Sequence, residues 1–192
     1  MHRRSATNEF GVPLRDAVPV ILHRSQILSR ATLKWSPPSA HALRNDDGSD
    51  LHTVLDDSVD GVTAALSLNN IDDLDAALGS VRRVLRAGGF LVFTVPHPCF
   101  DAPATETIST PAGVRRAFGD YFAEGHWRST HPHSVRRAGN YHRTISTYVT
   151  AVSGHGFVLR SLDEPAPSDE IRAEAPHRLG LPPFLVIGAM LR

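Results

Sequence analysis

Three side chains of this 192-residue chain have the types needed to orient a nucleophile and take its proton: His97, Tyr141 and His142. Imidazole changes charge near neutral pH, so a histidine beside a bound hydroxyl or amine can serve as its base. Other reactive types read differently. Cys99 lies two residues past His97, but a lone cysteine at a strand end reads as a small packing residue. His126, His131 and His133 have the clustering that a shared ion would need. No cysteine or acid supports them at ligand spacing, and Arg128, Arg136 and Arg137 would repel a cation. That cluster reads as a solvated loop, and no metal site is expected. Arg82, Arg83 and Arg86 could hold a phosphate; at the end of a helix that begins with Asp72, Asp73 and Asp75, they read as a solvated face.

The elements that position these groups show in the periodicity. Residues 62–68 form an apolar run of strand length between Gly61 and Asn69-Asn70, which fits a buried parallel strand. Asp72 fits a helix N-cap. Leu74, Ala77, Leu78, Val81, Val84 and Leu85 then recur at helical spacing, the arginines suit the helix C-terminus, and Gly88-Gly89 supplies a left-handed stop. Residues 90–95 are the second strand, ended by Pro96. Residues 96–140 read as a long polar and aromatic connection, of the kind that serves as a functional loop or lid. Residues 143–153 fit a helix with Ile145, Tyr148, Val149 and Val152 on one face. Residues 157–159 begin a third strand, 163–182 read as an acidic, proline-rich loop, and 184–190 are a final strand, antiparallel to the third. Strands alternating with helices imply an α/β layer fold.

The string RVLRAGG before an apolar strand, HPCF after it, and YHRTISTYVTAVSGHGF followed by LDEP occur in that order. Together they resemble the later part of a class I S-adenosylmethionine-dependent methyltransferase of small-molecule type, over roughly residues 45–192. The resemblance implies an α/β, incomplete Rossmann-like methyltransferase sheet, mostly parallel with an antiparallel last strand. It implies S-adenosylmethionine as cofactor and a small-molecule methyl acceptor. Asp47-Gly48 (with Asp46 as the competing acid) resembles the loop that meets adenine. Ser67, Leu68, Asn69 and Asn70 resemble the strand end that lines the methionine part. His97 and Pro98 resemble the post-strand position that commonly faces the substrate, and Tyr141 and His142 would complete that face. Asn69-Asn70 has a second reading, as the strand's own terminator through side-chain bonds to the backbone.

The family's G-x-G-x-G turn, which needs glycine for close backbone approach, has no counterpart in residues 1–50, where only Gly11 and Gly48 occur. An acid for the ribose hydroxyls is also missing. Residues 1–44 therefore read as an atypical segment, expected to be poorly ordered, ahead of a domain at 45–192. A lost half or a shifted reading frame would explain that, and would leave a truncated, weakly active enzyme. The rival reading is a non-catalytic methyltransferase-like domain that pairs with another chain, or with itself, through the exposed edge of strand 62–68.

Bulk composition narrows the partners. Lys+Arg and Asp+Glu are both 20, for a formal net charge of zero, which argues against nucleic acid and against a polybasic membrane contact. No apolar run reaches spanning length. One cysteine rules out an internal disulfide and fits a reducing cytoplasm.

Overall fold

The computed structural model describes residues 20–23, 48–129, 139–174 and 180–192. Five strands make the main sheet: β1 (Val20–His23), β2 (Val59–Ala65), β3 (Leu85–Pro96), β9 (Phe184–Leu191) and β8 (Phe157–Asp163), in that spatial order. β2 and β3 are parallel neighbours, with Val62 opposite Leu91 and Ala64 opposite Phe93. β9 runs antiparallel to both β3 and β8, so β2, β3 and β8 point one way. The expected side-by-side, same-direction pairing of the two central segments is present, as is the antiparallel final pair.

Helix α1 (Leu74–Val84) crosses from β2 to β3 and buries Leu74, Ala77, Leu78, Val81 and Val84. Helix α2 (Ile145–Gly154) buries Tyr148 and Val152. Both join Val62, Ala64, Leu91, Phe93, Val95, Leu185 and Ile187 in one core, and the ring centroids of Phe93 and Tyr148 lie 5.8 Å apart. The period-2 burial of β3 and β9 against the 3.6-residue stripes of two helices makes a sheet-and-helix layer.

Several boundaries differ from the sequence reading. β2 begins and ends three residues earlier than 62–68, because Leu66 takes φ 52° and Leu68–Asn70 winds into a 3-10 turn. The N-cap of α1 is Asp73, not Asp72: its carboxylate accepts from the Ala76 amide at 2.9 Å. Gly88-Gly89 is not the helix stop. Leu85 is already extended, and Gly88, at φ 74°, sits in a bulge where β3 shifts register between Leu85 and Phe90. Arg83 is more than part of a solvated face, since it donates to the Asp50, Leu51 and Val54 carbonyls and to Asp56. The 96–140 connection is partly ordered into a hairpin of β4 (Glu106–Thr110) and β5 (Gly113–Ala117). Past it, β6 (Gly125–Trp127) pairs with β7 (Asn140–His142). The 163–182 loop contains a short helix, α3 (Asp169–Glu174).

The edge of β2 expected to be open is taken: Val20–His23 pairs antiparallel with it, from Ala64 to Gly61. The rest of the atypical segment, residues 1–19 and 24–44, lies outside the described residues. Among the described residues no helix is long and apolar enough to cross a membrane.

Gly61 sits beneath the Phe90 ring of the neighbouring strand, where a Cβ would collide with the ring carbons. Gly61→Val is expected to cost about 1–3 kcal/mol by overpacking. In urea unfolding, the double change with Phe90→Ala should cost less than the sum of the singles, because the pair is in contact. Simple additivity would contradict this packing.

Candidate active site

The site is built where β2 ends. Asn70 Nδ2 donates to the Leu66 carbonyl at 2.9 Å. That turns Asn70 Oδ1 toward Asn69, whose Nδ2 donates to it at 3.2 Å. The chain of donors fixes the orientation of Asn69 and leaves its Oδ1 buried without a partner. Ser67, fully buried, also has an unpaired Oγ. A buried polar atom without a partner costs about 1–3 kcal/mol, so unpaired atoms in one turn call for an explanation.

Arg143 holds that turn. Its guanidinium donates to the carbonyls of Leu68 (3.1 Å), Ile71 (2.6 Å) and Asp72 (2.6 Å). It is buried, and no carboxylate pairs with it among the described residues. Its position follows from β7 and α2. Thr144 caps α2 by accepting from the Thr147 amide at 3.2 Å. Glu124 accepts from the Thr144 amide at 2.7 Å and from Thr147 Oγ1 at 2.6 Å. The Ile145 amide donates to the Tyr121 hydroxyl at 2.9 Å.

A cleft lies between this turn and β7, lined by Asn69, Pro96, Pro98, Asp101, Trp127, Asn140, Tyr141, His142, Arg143 and Tyr148. Asn140 Oδ1 is a further buried oxygen without a partner. His142 Nε2 lies 2.9 Å from the Tyr121 carbonyl. A carbonyl only accepts, so Nε2 carries a proton, and in the neutral ring Nδ1 then holds the lone pair. The Arg143 guanidinium carbon lies 5.5 Å from the Tyr141 ring centroid, within cation–π range. Burial pushes the Tyr148 phenol above its ordinary value, against the opposing pull of Arg143, so it stays a hydroxyl. Asp101 is engaged by Arg116 at 2.6 Å.

Tyr141 and His142 thus stand in the cleft wall together. His97 does not join them. It is 1% exposed, its Nδ1 accepts from the Cys99 amide at 3.2 Å, and its Nε2 meets Glu164 Oε1 at 2.6 Å. Both nitrogens are occupied, so the ring has no lone pair for a substrate. It ties the segment after β8 to the end of β3 instead. Burial, then the Glu164 charge, raise the Cys99 thiol despite a bond from Tyr121. Leu68 is in the core and its carbonyl is bound by Arg143; the Asn70 side chain closes the turn. Asp46 and Asp47 lie outside the described residues. Gly48 is buried, and the residues after it dock on the later half of α1 through Ser80 and Arg83. His126 stacks edge-on to Tyr141 at 5.1 Å, and His131 and His133 lie outside the described residues. Sequence reasoning missed Arg143, Asn140, Trp127 and Glu124. For Arg143 the available sign was an arginine wedged between a β-capable NYH and a helix cap.

A family model described as a methyltransferase domain matches residues 23–93. A solved S-adenosylmethionine-dependent methyltransferase from Mesorhizobium loti is 26% identical, with TM-score 0.62, over 76% of this chain and 67% of that one. A structure from Listeria monocytogenes, assigned to the same class, is 25% identical with TM-score 0.64, over 77% and 67%. The chain is thus similar to S-adenosylmethionine-dependent methyltransferases in fold and, over residues 23–93, in sequence. A more distant methyltransferase structure from Thermotoga maritima, 15% identical over 77% of this chain and 62% of that one with TM-score 0.50, shares the fold. No curated protein matches. The cleft lies at the C-terminal ends of β2 and β3, where open α/β sheets hold ligands.

Arg143→Met should lose about 2–4 kcal/mol, since three carbonyls lose a charged donor. Hydrogen exchange should speed up first at residues 69–72; unchanged exchange there would contradict the staple. Burial acts to raise the Glu124 carboxyl, but the Thr147 and Thr144 bonds outweigh it and leave the value lowered. A carboxyl lowered in the folded state adds stability above its unfolded value, lost as pH falls through the folded one. The urea-midpoint gap between wild type and Glu124→Gln should therefore shrink between about pH 7 and about pH 3. A gap independent of pH would contradict it.

Proposed function

We propose that the chain transfers a methyl group from S-adenosylmethionine to a small-molecule acceptor seated between the 67–72 turn and β7. The observation that carries this is the set of buried oxygens without partners, on Ser67, Asn69 and Asn140, gathered where two parallel strands end. The match of residues 23–93 to a methyltransferase-domain model and the likeness to two S-adenosylmethionine-dependent methyltransferases support it.

The residues fit the methionine side of that cofactor. Ser67 Oγ and the backbone of residues 67–70 would hold it, with Asp47 and Gly48 meeting adenine. Leu68 and Asn70 contribute through main chain, their side chains being used elsewhere. When bound, the cofactor supplies a methyl group activated on a sulfonium. His142 Nδ1 takes the proton that the acceptor gives up, Tyr141 forms the aromatic wall, and His97 positions the end of β3. Residues 1–47 hold one glycine, Gly11, and no glycine-rich turn, so cofactor affinity is expected to be weak and the enzyme slow.

Isothermal titration with S-adenosylhomocysteine should give saturable heat with a dissociation constant of about 0.1–1 mM. Ser67→Val should weaken it about tenfold without lowering the melting temperature, because the variant removes an unpaired buried hydroxyl. No heat at millimolar ligand would remove methyl transfer from this chain.

A further inference from the structure

Two strings of the sequence, HPCF at residues 97–100 and LDEP at 162–165, meet in space. His97 Nε2 lies 2.6 Å from Glu164 Oε1, across 67 residues of chain. The His97 side chain is 1% exposed and that of Glu164 49%, so a carboxylate at the surface reaches a ring in the interior. A carboxylate this exposed adds little stability of its own. What it decides is which ring nitrogen carries the proton.

The Cys99 amide can only donate, and it meets His97 Nδ1 at 3.2 Å. Nδ1 therefore holds a lone pair, and the proton sits on Nε2, which donates it to the Glu164 carboxylate. The other tautomer, or a doubly protonated ring, would set one N–H against another at Cys99. A carboxylate on one imidazole nitrogen fixes the role of the other, so Glu164 selects the single arrangement that serves both partners. Its charge also reaches the neighbouring thiol: after burial, Glu164 is the next cause that raises Cys99, against a bond from Tyr121.

That lone pair completes a turn. The His97 carbonyl accepts from the Phe100 amide at 3.1 Å and the Asp101 amide at 2.9 Å, and the His97 amide donates to the Pro183 carbonyl at 3.0 Å. With Cys99, three successive amides end on one residue. Asp101 in turn takes Arg116 of β5 at 2.6 Å, and Arg116 Nε donates to the Phe100 carbonyl at 3.0 Å. Pro96, Pro98 and Asp101 line the cleft, so the setting of the His97 ring passes into one of its walls. We propose that Glu164 is a positioning residue for the cleft: by accepting from His97 Nε2 it leaves Nδ1 to the Cys99 amide and so holds the 97–101 wall. What that wall faces rests on the methyl-transfer reading; the tautomer does not.

Imidazole nitrogen-15 shifts of the full chain read this directly. His97, assigned by the signal lost in His97→Asn, should show a lone-pair Nδ1 and a protonated Nε2. In Glu164→Ala the two shifts should move toward each other as the tautomers mix, and the Cys99 amide should exchange about fivefold faster. Glu164→Gln keeps a carbonyl within reach of Nε2, so it should restore the wild-type pattern although the charge is gone. The Arg116 Nε signal should follow the same order, displaced in Glu164→Ala and returned in Glu164→Gln. The opposite tautomer in the unaltered chain, an unmoved ring in Glu164→Ala, or no restoration in Glu164→Gln would overturn the inference. If Glu164→Ala does not fold, the unaltered chain and Glu164→Gln decide. The expected ring pattern without S-adenosylhomocysteine heat would sink methyl transfer and leave the positioning standing. Heat together with a ring unmoved in Glu164→Ala would do the opposite.

Discussion

The guanidinium of Arg143 is the joint on which the site depends. It reaches from the start of α2 to three carbonyls in the turn after β2, across 71 to 75 residues of chain. A buried charge is costly unless its donors are satisfied. Three carbonyls satisfy most of this one, and in return the turn is pinned to β7. Without that joint, residues 67–72 would be held mainly by local bonds, and nothing would fix the distance from Asn69 to His142. Tyr121 and Glu124 secure the other end: the Tyr121 carbonyl meets the His142 ring, and Glu124 and the Tyr121 hydroxyl accept from the Thr144 and Ile145 amides.

Pinning the turn also explains why its polar atoms go unpaired. Asn70 spends its amide on Leu66, and Asn69 spends its amide on Asn70. Each bond aims a carbonyl oxygen outward along the chain, and the last has no protein group to meet. A fold that only needed to end a strand would place an apolar residue at Asn69. Such a cost is expected where a ligand makes the missing bond. The contact of buried His97 with half-exposed Glu164 is different in kind, with every nitrogen of the ring used, and so belongs to the scaffold.

Locally encoded features were legible in the sequence. Strands near 90–95 and 184–190, both long helices and the antiparallel last pair follow from periodicity, caps and strand-length apolar runs. Tyr141 and His142, singled out for their side-chain chemistry, do line the cleft. What was not legible depends on distant partners or unusual backbone. No residue type announces that Leu66 will take a left-handed conformation, so β2 was drawn three residues late. His97 looked free until Glu164, 67 residues away, was placed against it. The β4–β5 hairpin was within reach, since Pro111 and Gly113 sit at its turn, but the polar composition of its strands hid it. The antiparallel docking of β1 is a long-range pairing that local pattern cannot encode.

As proposed, the 67–70 turn and the Asn140–His142 strand form two walls of one methyl-transfer site. Amide shift mapping with S-adenosylhomocysteine tests it most directly. Saturable changes are expected at residues 67–70, smaller ones at 140–143, and none along the β4–β5 hairpin. Changes centred on the hairpin or on β8, with the 67–70 amides still, would contradict it.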